Sequence, residues 1–267
     1  MLDAALDLLA ADGVTVALDG LQLEDVIRKA DVSRTSAYRR WPSREAFLED
    51  VLLELAQGAE LTDVGVRVAA EATALLAARR DVLATPQGRH EVFVELLRLS
   101  FQTDLDATLT SPQFRTYLAL RAAFVGVPSD DLRASLAAAL ARSERRAVAR
   151  GAVVLDGARR LLGLRLTGPL GAGPDGATTL ARAIAATTTG FVVAALADPE
   201  VVGATRPLAP FGSSQESPWS VPALTLASLV LAHVEADPDA TAPDPDALRV
   251  ALEGLVDAGA AAAAAAD

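Results

Sequence analysis

The sequence predicts an all-α fold in two parts, and three observations carry that prediction. Apolar residues recur at helical spacing: Leu2, Ala5, Leu6 and Leu9 fall at i, i+3, i+4 and i+7, and Leu23, Val26, Ile27 and Ala30 repeat the pattern. No sustained alternation of β-branched and polar residues marks a strand. The 267 residues exceed one average domain, and 51% of them are apolar, enough for a sizeable core.

The elements follow in order. The first helix begins at Leu2 and is stopped by Gly13. The second, from Leu21, ends at the interruption Asp31-Val32-Ser33. Ser33 suits the N-cap of a short third helix, because its hydroxyl can accept from free N–H groups of the first turn. Pro42 ends that helix, and Ser43 caps a fourth that runs through Phe47, Val51, Leu52 and Leu55 to Gly58. Longer helices are expected near 60–83, 89–101, 112–125, 129–150, 152–166, 176–197, 219–236 and 244–258. Pro86-Gln87-Gly88, Gly126-Val127-Pro128 and the runs at 167–176 and 207–218 punctuate them. The implied division is a domain at 1–57, a larger helical domain at 58–258, and an Ala-rich tail at 259–267 that is a fraying helix or disordered.

Charge singles out one segment. The chain is acidic, at −11 formal charge, yet Arg28, Lys29, Arg34, Arg39, Arg40 and Arg44 crowd around the third helix. A helix, a sharp turn and a helix of about seven residues have helix-turn-helix proportions, in which the second helix enters the major groove of DNA. Asp31 is one of the few non-glycine residues that tolerates the left-handed backbone such a turn needs. Val32 is expected to plug the angle between the helices, and Ala37 is small enough for their contact. Arg34, Thr35, Ser36 and Arg39 are polar and fall on the outer side. A charge run alone reads as a wet helix face; its coincidence with the turn points to nucleic acid.

Residues 21–56, preceded by "LDAALDLLAADG" at 2–13, resemble the tetracycline-repressor-like (TetR) family of bacterial regulators. The marks are the turn from Ala30 to Ser33, the pair Tyr38 and Trp41, and the run from Pro42 to Ala46. Trp41 stands where the family has Phe, and Arg44 where it has Lys. Asp31 replaces the common Gly, and Gln22 stands where Thr often caps the second helix. The resemblance implies backbone contacts from Gln22, Ser33, Tyr38 and Arg44. It implies base reading at or near Arg34, Thr35, Ser36 and Arg39. It further implies a homodimer on a palindromic double-stranded operator, with dimerisation on the last long helices and an effector site in the second domain.

The second domain offers little chemistry. "HEVFVE" at 90–95 lacks a second His at metal spacing, and neither Ser-His-acid nor P-loop spacing occurs. No metal, cofactor or catalysis is expected. "GPLGAGPDG" has no strand before it and reads as a loop, not a phosphate cradle. Phe93, Leu97, Phe101, Phe114, Tyr117, Arg121 and Phe124 gather on two helices as candidate lining for an apolar or aromatic ligand, against the alternative of an ordinary core. Ala183, Thr187, Gly190 and Ala194 form a small-residue stripe. Gly190 costs about 1 kcal/mol against Ala in a helix interior. A helix pair across a dimer axis would offset that cost, and so would an intramolecular crossing.

Composition sets the remaining expectations. The N-terminus has no basic region of a secretory signal, and no cysteine occurs, which fits a reducing cytoplasm. The uncharged stretches at 183–197 and 217–234 read as buried helices of a soluble protein, with no membrane partner. The expected function is a ligand-released transcriptional repressor. The competing reading is a helical small-molecule carrier or enzyme that retains a degenerate helix-turn-helix.

Overall fold

The computed structural model describes residues 1–12, 21–58, 65–124, 127 and 129–266. The described residues contain thirteen α-helices and four short strands, so the all-α expectation holds. Contacts divide the chain into two compact units, Met1–Leu61 with Ser111–Glu144, and Thr62–Thr110 with Arg145–Asp267. The expected helix stop at Gly13, the start of a helix at 60, and the punctuation at Gly126 and Pro128 lie outside the described residues.

The first unit holds α1 (Leu2–Asp12), α2 (Leu23–Lys29), α3 (Arg34–Arg40) and α4 (Arg44–Gly58). It also holds α7 (Pro112–Phe124) and the start of α8 (Asp130–Leu161). Ala5, Leu23, Val26, Ile27, Ala37, Trp41, Phe47 and Val51 close one core. Here α1 packs on α2 and α4, α2 on α3, and α7 on α4. Of the periodic apolar residues, Leu2, Ala5, Leu23, Val26 and Ile27 meet in this core.

The second unit contains α5 (Gly65–Ala78), a 3₁₀ turn at Arg80–Ala84, α6 (Pro86–Thr110) and the rest of α8. Then come β1 (Leu164–Leu166), α9 (Gly168–Gly171), α10 (Gly176–Ala197), α11 (Glu200–Gly203) and β2 (Thr205–Leu208). Last are β3 (Ser217–Ser220), α12 (Val221–Leu231), β4 (Val234–Ala236) and α13 (Pro245–Ala264). Antiparallel pairs join β1 to β4 and β2 to β3. The core gathers Phe93, Leu97, Phe101, Leu162, Leu164, Trp219, Leu226 and Leu248.

Several expected boundaries move. The helices expected at 129–150 and 152–166 are one, α8, to Leu161, because an interior glycine such as Gly151 costs too little to break a helix of good formers. The helix expected at 219–236 is shorter. Ser220 caps α12 by accepting from Ala223 N–H at 3.2 Å, and the flanking residues pair as strands. The Ala-rich tail is helical to Ala264; Gly259 lies so close to α8 that a Cβ there would meet Val154 and Arg150 at 3.0–3.1 Å.

One expectation is overturned more fully. The apolar helix α10 is not a buried core helix: only 28% of its most apolar window is buried, and Val193 and Leu196 are 51% and 72% exposed. Its length and composition would suffice to cross a membrane, as no other described helix would, although it carries Arg182 and packs on α12. The Gly-rich stretch also departs from the loop expected of it: β1 directly precedes it and α9 covers Gly168–Gly171, while three of its glycines are required by the backbone. A Cβ on Gly171 or Gly176 would meet the carbonyl oxygen of Leu166 or Leu170 within 2.4 Å, and Gly168 has φ +58°.

Gly88 gives the clearest stability test. A Cβ there would lie 1.9 Å from the Val82 carbonyl oxygen, which is backbone and cannot swing aside. Gly88→Ala is expected to cost about 3 kcal/mol. Gly173→Ala, with nothing within 4 Å, should change stability by less than about 0.5 kcal/mol. Urea denaturation of the two variants checks this.

Candidate nucleic-acid interface

Helix α3 is made by its two ends. Ser33 is extended (φ −69°, ψ 141°), and its Oγ accepts from Ser36 N–H at 3.2 Å while donating to Ser36 Oγ at 2.9 Å. The turn before it carries the expected left-handed residue, with Asp31 at φ 51°. Ala30 N–H donates to the Val26 carbonyl at 2.8 Å and Val32 N–H to the Ile27 carbonyl at 3.3 Å. At the far end Trp41 N–H donates to the Ala37 carbonyl at 2.8 Å. The Trp41 ring meets Phe47 edge-on at 5.1 Å, and its Nε1–H donates to Asp50 at 2.8 Å.

Of the seven residues in α3 only Ala37 is buried; Arg34, Thr35, Ser36, Tyr38, Arg39 and Arg40 are exposed. Val32 does not plug the angle: it stays 36% exposed, and Ile27, Ala37 and Trp41 fill the core beside it. Gln22 precedes α2 with an extended backbone and no side-chain cap bond; its carbonyl accepts from Asp25 and Val26 N–H.

The cations separate into two sets. Arg28 pairs with Asp25, Lys29 with Asp7 at 3.6 Å, and Arg40 with Asp50 at 3.6 Å. Arg40 also lies over the Trp41 ring. Arg44 is half-buried and donates from Nε to the Leu21 carbonyl at 2.9 Å, bracing α4 against the entry to α2. Arg34 and Arg39 make no ion pair or hydrogen bond among the described residues. Their charge remains available to an outside acceptor such as a phosphate or a guanine edge.

One neighbour was not legible in the sequence. Glu24, on α2, accepts from the Tyr38 hydroxyl at 2.5 Å. That bond holds the Glu24 carboxyl below its usual range and pushes the Tyr38 phenol up. Fourteen residues separate the two, and no periodicity links them. Asp50 was missed for the same reason.

The candidate ligand residues divide between the units. Phe93, Leu97 and Phe101 are buried in the core of the second. Phe114, Tyr117, Arg121 and Phe124 belong to the first. There the Phe114 and Tyr117 rings lie 5.6 Å apart, the Tyr117 hydroxyl donates to Glu144 Oε1, and Arg121 donates to the Tyr117 hydroxyl oxygen and to Glu144 Oε1. Burial, then the Glu144 bond, pushes the Tyr117 phenol up to about 12. A polar cleft of about 780 Å³ in the second unit lies elsewhere. Arg159, Arg160 and Arg165 line it beside Asp156, Glu235 and Asp237, and Asp156 and Glu235 already pair with those arginines. No group of three or more His, Cys, Asp or Glu placed to hold a metal occurs among the described residues.

Residues 1–51 match the family model for bacterial regulatory proteins, tetR family. The match runs from α1 into α4 and includes the turn, the cap and the whole exposed face of α3. No curated protein and no solved structure matches the chain.

The turn itself can be tested. An L-residue in the left-handed region costs about 1–2 kcal/mol relative to glycine, somewhat less for Asp. Asp31→Gly is expected to raise stability by about 1 kcal/mol, seen as a higher urea midpoint at unchanged slope. A lower midpoint would mean that the Asp31 side chain does more than occupy the turn.

Proposed function

We propose that this chain, a transcriptional regulator whose residues 1–51 carry the DNA-binding domain of the tetR family, acts in the cytoplasm as a dimeric repressor of a palindromic operator. The single observation behind base reading is the pair Arg34 and Arg39, which make no internal ion pair or hydrogen bond among the described residues, on the exposed face of a capped helix in an acidic protein. Thr35 and Ser36 share that face and supply short hydroxyls. Gln22, Ser33, Tyr38 and Arg44 flank it as backbone contacts. The division of labour is a reading domain at 1–57 and an effector and dimer domain at 58–258.

The dimer reading rests on α10. Ala183 and Thr187 are half-buried, Gly190 and Ala194 exposed, and Val193 extends the same apolar face. A Cβ on Gly190 would meet nothing within 4 Å, so no described intramolecular contact explains that glycine. A second copy of the helix, packed closely along the stripe, would. Val221 on the neighbouring α12, 58% exposed, adds to the surface such a copy would cover.

Release by a small apolar or aromatic molecule completes the reading. The proposed contacts fall in two separate sets, Phe93, Leu97 and Phe101 in the second unit, and Phe114, Tyr117, Arg121 and Phe124 in the first. Phe93, Phe101, Phe114 and Tyr117 are buried in the free chain, so a ligand at either set must bind a state in which those rings are opened better than it binds the DNA-bound state. Operator titration with and without aromatic compounds tests this part, and undiminished operator affinity in the presence of every bound compound would refute it.

Two experiments test the rest. On duplexes selected from a randomised pool, Arg34→Ala or Arg39→Ala should cost about 1–3 kcal/mol and relax preference at one or two base pairs. Arg44→Ala should weaken all duplexes alike and reduce the salt slope. It should also lower stability through the lost bond to Leu21. Base preference carried by Arg44, and none by Arg34 or Arg39, would overturn the assignment. Gly190→Leu should turn dimers into monomers in sedimentation and abolish tight operator binding while residues 1–57 stay folded. A native chain that is monomeric yet binds a palindrome tightly would refute the interface.

A further inference from the structure

The exposed phenol of Tyr38 has one proton, and the structure shows where it goes. Its hydroxyl donates to Glu24 Oε1 at 2.5 Å, and both groups are exposed beside the face that carries Arg34. Glu24 sits on α2, next to Asp25, whose charge Arg28 neutralises. No cation pairs directly with Glu24 among the described residues, although Arg34 is close enough to act on it through space. A carboxylate that close to a phosphate-facing hydroxyl does two things. It takes the proton the phenol would otherwise give a phosphate, and it sets a negative charge where the DNA backbone must approach.

We propose that Glu24 is a built-in brake on DNA binding, which withholds the Tyr38 proton from the phosphate backbone and repels that backbone, so that operator occupancy depends on Arg34 and Arg39. This rests on the DNA-binding reading of α3 above. The brake acts on backbone contacts and therefore weakens all duplexes alike without changing base preference. A unit charge about 4 Å from a phosphate changes affinity about fivefold even at the dielectric of water.

The test is a double-mutant cycle in the full-length chain at fixed salt. It uses one duplex selected from a randomised pool and one unrelated duplex. Glu24→Gln removes the charge and leaves only a weaker, neutral acceptor, which a phosphate can outcompete for the Tyr38 proton; it is expected to tighten both duplexes about fivefold. Tyr38→Phe is expected to weaken binding more in the Glu24→Gln background than in the native one, by about threefold, the worth of one modest hydrogen bond. The bond itself is followed without DNA. With ring-labelled tyrosine the chain's two tyrosines give separable signals, the one lost in Tyr38→Phe belonging to Tyr38. That signal should move in Glu24→Gln. Weaker or unchanged binding in Glu24→Gln, equal Tyr38→Phe losses in both backgrounds, or an unmoved Tyr38 signal would each overturn the proposal. If neither the native chain nor Glu24→Gln bound any duplex at low salt, the DNA-binding reading would fall with it; a Tyr38 signal that still moved would then show the bond to be real but its purpose wrong.

Discussion

Ala37 against α2 is the contact on which the exposed face of α3 depends. A helix of seven residues has no stability of its own in water, because nucleation costs more than so few hydrogen bonds return. It must be held from outside, yet almost all of its surface stays exposed. One small side chain resolves that conflict. Ala37 lets α3 lie close against α2 while the rest of its face stays outside. The Ser33 cap and the Trp41 ring fix the two ends, so the helix is located by three points and left open everywhere else.

The same economy appears in the charges. Excess positive charge would favour any polyanion, whereas an overall negative chain resists nonspecific binding. Asp25, Asp7 and Asp50 take up Arg28, Lys29 and Arg40, and Arg44 is turned to a backbone carbonyl. What the surface offers is therefore smaller than the count of basic residues suggests. It is concentrated on two guanidinium groups, whose planar donors suit base edges better than a diffuse field would.

In the second unit burial and exposure fall where composition alone would not put them. Aromatic residues that could have lined a cavity are closed into the core with Trp219, while α10 leaves apolar surface uncovered. Exposed aliphatic side chains along a helix that also carries an unneeded interior glycine are costly in an isolated monomer. Both costs disappear if a second helix lies against the stripe.

By itself the sequence determined the helical class, the turn at Asp31, the cap at Ser33 and the polar face from Arg34 to Arg39. These are local properties: spacing, left-handed tolerance and short-range hydrogen bonding are written in neighbouring residues. It also located α10 at 176–197 by its apolar length and flanking glycines and prolines. The merging of two expected helices into α8, the strands flanking α12 and the exposure of α10 were decided by tertiary packing, because an interior glycine or an uncharged run does not say what lies opposite. The same holds for Glu24 beneath Tyr38 and Asp50 beside Trp41. Their partners lie on other helices, and such meetings exist only once the helices have crossed.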